Sequence, residues 1–154
     1  MSWVSVRRAA ELVADGAVEV NVTWLGEAAD VDSVPALRSA IAGSEIFKNL
    51  HVLVQETQDA AAKALAAALL DMTTLDLRCN RFTDVGVSAL ASVVEKSPSI
   101  TTLGLTNNPI TEVSAIILAS AVEMSQSMTT VQLQSNQITD AGHALLLSCP
   151  LAPS

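Results

Sequence analysis

The chain has 154 residues, half of them apolar, which is enough to bury the core of one ordinary domain or of a few stacked repeats. Sixteen acidic side chains against eight basic ones give a formal net charge of −8, and only 3% of the residues are aromatic. Because an acidic surface repels phosphate backbones and few aromatic rings are present to stack on bases, we expect no direct nucleic-acid binding.

Residues 1–17 are predicted to form one amphipathic helix that caps the first structural unit, with Trp3, Val6, Ala10 and Val13 facing inward. This segment lacks the apolar stretch and cleavage site of a secretory signal, and the chain contains no run of eighteen apolar residues. We therefore expect no membrane insertion and an intracellular location. The cytoplasm is the first expectation, and a mitochondrial or other organellar assembly is the alternative.

Residues 18–71 carry degenerate strand–helix units. Residues 20–22 and 50–52 alternate in polarity as strands do. A helix is predicted from Val34, with residues 30–33 as its cap, and another from Ala60. Leu50 precedes its counterpart Leu75 by less than a full repeat, so this unit is predicted to be shorter than those that follow it.

Residues 72–148 contain three regular repeats of equal length, which begin at Met72, Ile100 and Met128. In each repeat, alternating apolar residues predict a short strand, an Asn predicts a turn, and a Thr followed by an acidic residue predicts the N-cap of a helix. These positions are Leu75, Leu77, Asn80, Thr83 and Asp84 in the first repeat, and the equivalent positions in the other two. One strand and one helix cannot bury their apolar sides alone, so the units must stack.

The pattern L-x-L-x-x-N-x-[ILF]-T-[DE]-x-G-x-x-x-L, with its 28-residue period, resembles leucine-rich repeats of the ribonuclease-inhibitor type. The resemblance implies an α/β solenoid: a short horseshoe with parallel strands on the concave side and helices on the convex side. It also implies a module that binds other proteins. Two positions depart from the pattern, because Ser114 replaces the expected Gly and Gln55 replaces the expected Asn. We expect a single domain over residues 1–154, in which residues 149–154 form a tail.

The sequence offers little for catalysis. His51 and His143 each lack a partner at metal-ligand spacing, and no nucleophile elbow or phosphate-binding glycine loop occurs. We therefore predict no enzyme activity, no cofactor and no metal. Cys79 and Cys149 are expected to be buried or half-buried free thiols, although Arg78 and Arg81 beside Cys79 leave modest reactivity as the alternative. The repeated Asn residues are predicted to form a structural ladder of buried amides.

The open side of the strands is one candidate for binding a partner. We call it the concave face, and it is small and polar with few charges. Arg78 is the one residue of a type that commonly dominates binding energy, and Thr is also simply a good strand former, so an inert surface is the alternative. The predicted partner-binding residues are Thr74, Asp76, Arg78, Thr102, Thr106, Thr130, Gln132 and Gln134, and Gly104 lies among them.

The end of the last repeat is the second candidate. Its helix is predicted to be short, and no polar segment shields it as the free end of a solenoid requires. We expect an apolar edge that docks onto another subunit, unless residues 151–154 fold back and cover it. We call this surface the C-terminal edge, and its predicted residues are Leu145, Leu146, Leu147 and Leu151.

These observations favour a non-catalytic protein–protein interaction module, in particular a small structural subunit or adaptor whose partners are other protein subunits. The alternative is a regulator or inhibitor that binds an enzyme or a GTPase through the concave face. An enzyme with an unrecognised site is a third possibility. Residues 1–77 carry eleven acidic and five basic side chains, which predicts a solvated acidic face or, alternatively, a basic partner for this half.

Overall fold

Strands and helices alternate along the whole described chain. A computed structural model describes residues 4–17, 19–24, 28–44, 49–54, 58–68 and 71–149. The strands are β1 (Glu19–Trp24), β2 (Asn49–Val54), β3 (Thr74–Asp76), β4 (Thr102–Gly104) and β5 (Thr130–Gln132). The helices are α1 (Val6–Ala14), α2 (Ala28–Ala42), α3 (Gln58–Ala68), α4 (Asp84–Lys96), α5 (Glu112–Met124) and α6 (Asp140–Ser148).

The described strands form one parallel sheet in the order β1-β2-β3-β4-β5, so each strand pairs with the next one along the chain. The register joins Val20 to Leu50, Leu50 to Leu75, Leu75 to Leu103 and Leu103 to Val131. The step from Leu50 to Leu75 is shorter than the two steps that follow it, so the predicted short unit is confirmed. The predicted α/β solenoid with parallel strands is also confirmed.

Local chemistry starts and ends α4 where the sequence predicts, whereas Thr139, the N-cap of α6, makes no side-chain capping bond. Thr83 is the N-cap of α4, and its hydroxyl accepts a hydrogen bond from the amide of Val85 at 3.3 Å. Ser97 ends the same helix, immediately before Pro98. The buried stripe of α4 faces the sheet and includes Val87 and Leu90.

The core is a continuous apolar layer between the sheet and the helices. Inward strand residues such as Leu75 and Leu103 are at most 1% exposed, as are the helix residues Leu90 and Leu118. Phe82 lies in this layer at the turn between β3 and α4 and is fully buried. Its position places one aromatic ring in the middle of the stack.

The N-terminal helix differs from its prediction. It begins at Val6 rather than near Met1, and Val4 instead pairs in parallel with Val22 at the edge of β1, where the Val4 amide donates to the Asn21 carbonyl at 2.9 Å. The cap therefore covers the sheet edge as well as the helix layer. Val6, Ala10 and Val13 are buried as predicted, whereas Trp3 lies outside the described residues.

The start of α2 is also corrected. The predicted cap, residues 30–33, lies inside the helix, which runs from Ala28 through Pro35 to Ala42. Leu37 and Ile41 are each 1% exposed, so this helix is stabilised by packing against its neighbours rather than by a cap at residues 30–33.

None of the helices in the described ranges combines the length and the apolar character that crossing a lipid bilayer requires.

Candidate interaction surfaces

The predicted ladder of buried Asn side chains is present. The Nδ2 atom of Asn108 donates to the carbonyls of Leu105 at 2.8 Å and Leu77 at 3.1 Å. Its Oδ1 atom accepts from the amides of Phe82 at 2.9 Å and Asn80 at 3.2 Å. The Asn side chain thus joins two repeats and has a structural role.

A second ladder joins the starts of the helices. The carboxylate of Asp84 accepts from the amide of Thr111 at 2.9 Å and from its hydroxyl at 2.7 Å. Glu112 holds Thr139 in the same way, at 3.1 and 2.7 Å. Asp59 holds Thr83, at 3.1 and 2.6 Å. Each of these three acidic residues therefore fixes the N-cap threonine of the following repeat.

Sequence reasoning missed this second ladder because it assigned Thr and the following acidic residue to the N-cap of one helix. The available signal was that the acidic position recurs in every repeat. The ladder also accounts for Ser114, which stands where the pattern has Gly. Its hydroxyl donates to Asp84 at 2.5 Å, whereas a Cβ atom at Gly142 would lie 2.7 Å from the carboxylate oxygens of Glu112.

The concave face contains a polar cluster at its centre. Asp76 accepts from the Nε atom of Arg78 at 2.8 Å and lies 3.0 Å from the Nδ1 atom of His51 on the neighbouring strand. The Arg78 side chain remains 51% exposed, whereas that of Asp76 is 12% exposed. The guanidinium of Arg78 is therefore exposed on the concave face while Asp76 holds its orientation.

The remaining predicted residues of the concave face are brought into rows by the register. Thr74 pairs with Thr102 and Thr102 with Thr130, and the last of these is exposed. Gln132 is partly buried and pairs with Gly104, which is itself buried and does not present a surface to a partner. One further link follows the strands: the Thr106 hydroxyl donates to Gln134 at 2.8 Å.

Two carboxyl groups have pKa values below the ordinary value for Asp. Burial by itself raises the pKa of Asp76, but the hydrogen bonds and charge of Arg78, with the nearby His51, lower it more. Burial likewise raises the pKa of Asp84, and the hydrogen bonds from Ser114 and Thr111 lower it more.

These lowered pKa values predict a loss of stability in acid. Each group has a pKa in the folded state below that in the unfolded state, so its contribution is present above about pH 4 and disappears as the pH falls through the folded-state value. We expect urea midpoints measured by circular dichroism to fall between pH 4 and pH 2. Asp76→Asn combined with Asp84→Asn should flatten that fall, and an equal slope in the double variant would contradict the assignment.

The cysteines differ from one another. Cys149 is buried as predicted, and burial together with the charge of Glu123 raises the pKa of its thiol. For Cys79 the prediction is wrong, because the left-handed backbone of the turn (φ 61°) leaves this residue exposed. Within the described ranges, no three His, Cys, Asp or Glu side chains come together in a group that could hold a metal ion.

The C-terminal edge exposes two of its predicted leucines. Leu147 is 86% exposed and Leu145 is 39% exposed. Leu146 is corrected, because it turns inward and packs partly against the core. Leu151 lies outside the described residues.

A groove of about 260 Å³ lies beside Leu146 and Leu147. Val122, Val131, Leu133, Leu146 and Leu147 supply its apolar lining. Its polar lining comes from Gln134 of the concave face and from His143, which also contacts the Thr139 carbonyl at 3.0 Å. The groove therefore connects the concave face to the C-terminal edge.

Comparisons with known proteins agree with this architecture. A protein-family model described as Leucine Rich repeat matches residues 70–91 and 125–146. No curated protein matches the sequence significantly.

Solved structures with a similar backbone include the actin-binding site 2 of leiomodin-1, at 16% identity and a TM-score of 0.50, with 90% of this chain and 68% of that chain covered. The tropomodulin C-terminal domain of Caenorhabditis elegans is 12% identical, with a TM-score of 0.44 and coverage of 95% and 91%. An internalin of Listeria monocytogenes is 17% identical, with a TM-score of 0.41 and coverage of 87% and 47%. With its stacked strand–helix units and its two matched repeats, the chain has the fold of a leucine-rich repeat solenoid.

Proposed function

We propose that this chain is a non-catalytic protein–protein interaction module that joins a larger assembly as a small structural subunit or adaptor. The observation that carries the proposal is the apolar C-terminal edge, where the exposed Leu147 borders a groove and Leu145 is also exposed. Contiguous apolar surface of this kind marks interaction sites on soluble proteins. The proposed location is intracellular. The leiomodin likeness, at 16% identity, concerns the fold and does not select actin as the partner.

Comparison with the inner repeats shows how unusual this edge is. Leu147 occupies the position that Ala119 holds in α5 and Ala91 holds in α4, and those two residues are 4% and 6% exposed. A leucine that is 86% exposed therefore stands where the stack otherwise buries a small side chain. Burying it under a partner would contribute about 1.5–3 kcal/mol to association.

The proposal is tested by exchanging this leucine for a charge. Tagged protein from a native extract would be analysed by size-exclusion chromatography with light scattering. We expect the wild-type chain to elute in a particle of fixed composition, and Leu147→Asp to elute alone near its mass of 16.0 kDa. Burying an unpaired carboxylate under the partner would cost several kcal/mol.

The matched control is Ile116→Asp on α5, at a residue that is 57% exposed but lies away from the C-terminal edge. This variant should stay in the particle. A particle that retains Leu147→Asp, or one that loses both variants equally, would contradict the docking role of the edge.

The alternative function, a regulator of an enzyme or a GTPase, is favoured by one observation. The Arg78 guanidinium is held by Asp76 and still exposes half of its side chain, so it is oriented before a partner arrives. A wild-type chain that elutes alone would favour this alternative. In that case Arg78→Ala should alter the rate of the partner enzyme, whereas Leu147→Asp should not.

A further inference from the structure

The repeats are joined by backbone hydrogen bonds that recur at fixed positions. The Leu105 amide donates to the Gln132 carbonyl at 2.8 Å, and the Asn107 amide donates to the Gln134 carbonyl at 2.9 Å. The same two bonds occur one repeat earlier, from Leu77 to Gly104 at 2.8 Å and from Cys79 to Thr106 at 3.1 Å. In both cases one repeat supplies two amides, and the following repeat supplies two carbonyls.

The corresponding amides of the last repeat are those of Leu133 and Ser135, beside the edge strand β5. Ser135 has a φ of 58°, nearly the same as the 59° of Asn107 and the 61° of Cys79. The left-handed turn that aims the second amide toward the next repeat is therefore already formed at this edge. A strand that arrives here meets donors in the inner-repeat geometry.

A third group at this edge repeats an inner contact. Asp140 is the first residue of α6, as Asp84 is of α4 and Glu112 is of α5. Asp84 and Glu112 each bind the N-cap threonine of the next repeat, and Asp140 is exposed. It therefore stands where a hydroxyl and an amide of an added segment would bind.

The groove supplies the apolar half of the same surface. Val131 and Leu133 lie two positions apart on one side of the chain and line it together with Leu147. Residues that are two apart in a strand share one face. Apolar side chains at alternate positions of an added strand, on the same face of the sheet as Val131 and Leu133, would therefore point into this groove.

We propose that the edge of β5 binds an extended segment of a partner protein, which adds as a sixth parallel strand. The segment has apolar residues at two alternate positions, and a Thr or Ser further along reaches Asp140. The spacing is the one that Leu103, Leu105 and Thr111 show inside the stack. The inference rests on the proposed function, and it specifies what the partner contributes at the C-terminal edge.

A second copy of the chain does not fit this role in a head-to-tail arrangement. The strand that would have to pair with β5 is β1, and its outer edge is already paired with Val4. The occupant that we propose is therefore not a head-to-tail copy but a different polypeptide with an available strand.

The test uses the whole chain and a peptide with the sequence of residues 100–111, ITTLGLTNNPIT. Hydrogen exchange measured by NMR should slow at least about tenfold at Leu133 and Ser135 when the peptide saturates. The amide of Leu105, already bonded to Gln132, is the internal control. A peptide with Asp in place of both leucines should give no protection. Asp140→Asn should weaken peptide binding about tenfold, the loss expected for one hydrogen bond to a charge.

A second form of the experiment removes weak affinity as an explanation for a negative result. The same segment is fused after Ser154 through a Gly/Ser linker of roughly 20 residues, which spans about 25 Å and holds it at millimolar effective concentration. Unchanged exchange at Leu133 and Ser135 in this fusion overturns the proposal.

Other occupants give different outcomes, and each of them also overturns the proposal. Protection that grows with the concentration of the chain itself indicates self-association. Protection that is present without peptide and lost when the chain ends at residue 149 indicates that residues 150–154 cover the edge.

The two experiments distinguish the two proposals. If Leu147→Asp is lost from the particle while the fusion shows no protection, the proposed interaction module is supported and only strand addition is contradicted. If the fusion is protected while the particle retains Leu147→Asp, the docking role fails instead.

Discussion

Phe82→Ala should lower the free energy of unfolding by about 3–5 kcal/mol, the loss expected when a buried aromatic side chain is removed and the cavity only partly collapses. Phe82 is fully buried, and its backbone amide donates to Asn108 at 2.9 Å. The ring also lies against the start of α4, where its Cδ1 atom would be 3.2 Å from a Cβ atom at Gly86. Removing the ring therefore leaves a cavity in the core beside the start of α4, while the backbone bond to Asn108 is kept.

Urea unfolding followed by circular dichroism measures this loss, and the melting temperature should fall by about 2–4 °C for each kcal/mol. Phe82→Leu keeps most of the volume and should cost under about 2 kcal/mol. Ile138→Ala changes the equivalent position in the last repeat, where the residue is already 9% exposed, and should cost less than Phe82→Ala. Equal losses for Phe82→Ala and Ile138→Ala would contradict the central role of the ring.

The regular repeats were predictable because each motif position has one local cause. Alternating leucines define a strand face, and the hydroxyl of Thr83 caps the helix that follows it. The role of Asn108 was also predictable, since a buried amide in a tight turn must bond to the backbone around it. The strand register of the regular repeats then followed from their constant period.

The missed features depend on contacts between repeats or on backbone conformation. Asp84 bonds to Thr111 and Ser114 of the following repeat, and nothing in its own repeat indicates those partners. Val4 pairs with Val22 because the edge of β1 needs a neighbour, which a helical pattern does not reveal. Cys79 is exposed because its turn is left-handed, a conformation uncommon for a residue other than glycine.

The candidate surfaces were only partly predictable for a related reason. Composition located the apolar end of the chain, but the rotation of α6 decides that Leu147 faces solvent while Leu146 packs inward. The polar cluster on the concave face was predicted only in part. Asp76 and Arg78 were identified from strand alternation. The predicted pairing of Leu50 with Leu75 places His51 beside Asp76, but the side-chain contact between them was not predicted.

Asn108→Ala should destabilise the protein by about 3 kcal/mol, the upper end of the range for leaving buried backbone groups unpaired. The side chain is buried and serves two repeats, donating to Leu77 and Leu105 and accepting from Phe82. Alanine removes the side-chain partner of the Leu77 carbonyl and of the Phe82 amide in a site without access to water, while the Leu105 carbonyl keeps its bond from Asn136. The loss therefore exceeds that of one exposed hydrogen bond.

The matched control is Asn136→Ala at the end of the ladder. Asn136 is only partly buried and accepts from the Asn108 amide at 2.7 Å, while its Nδ2 atom donates to Leu133 at 2.6 Å and Leu105 at 3.1 Å. Water can replace part of this bonding at the C-terminal edge, so we expect a loss of about 1 kcal/mol. Thermal and urea unfolding of both variants measures the difference. We expect the larger loss of stability for Asn108→Ala, because Asn108 is buried in the middle of the ladder. An unchanged midpoint for this variant would show that the Asn side chains do not join the repeats.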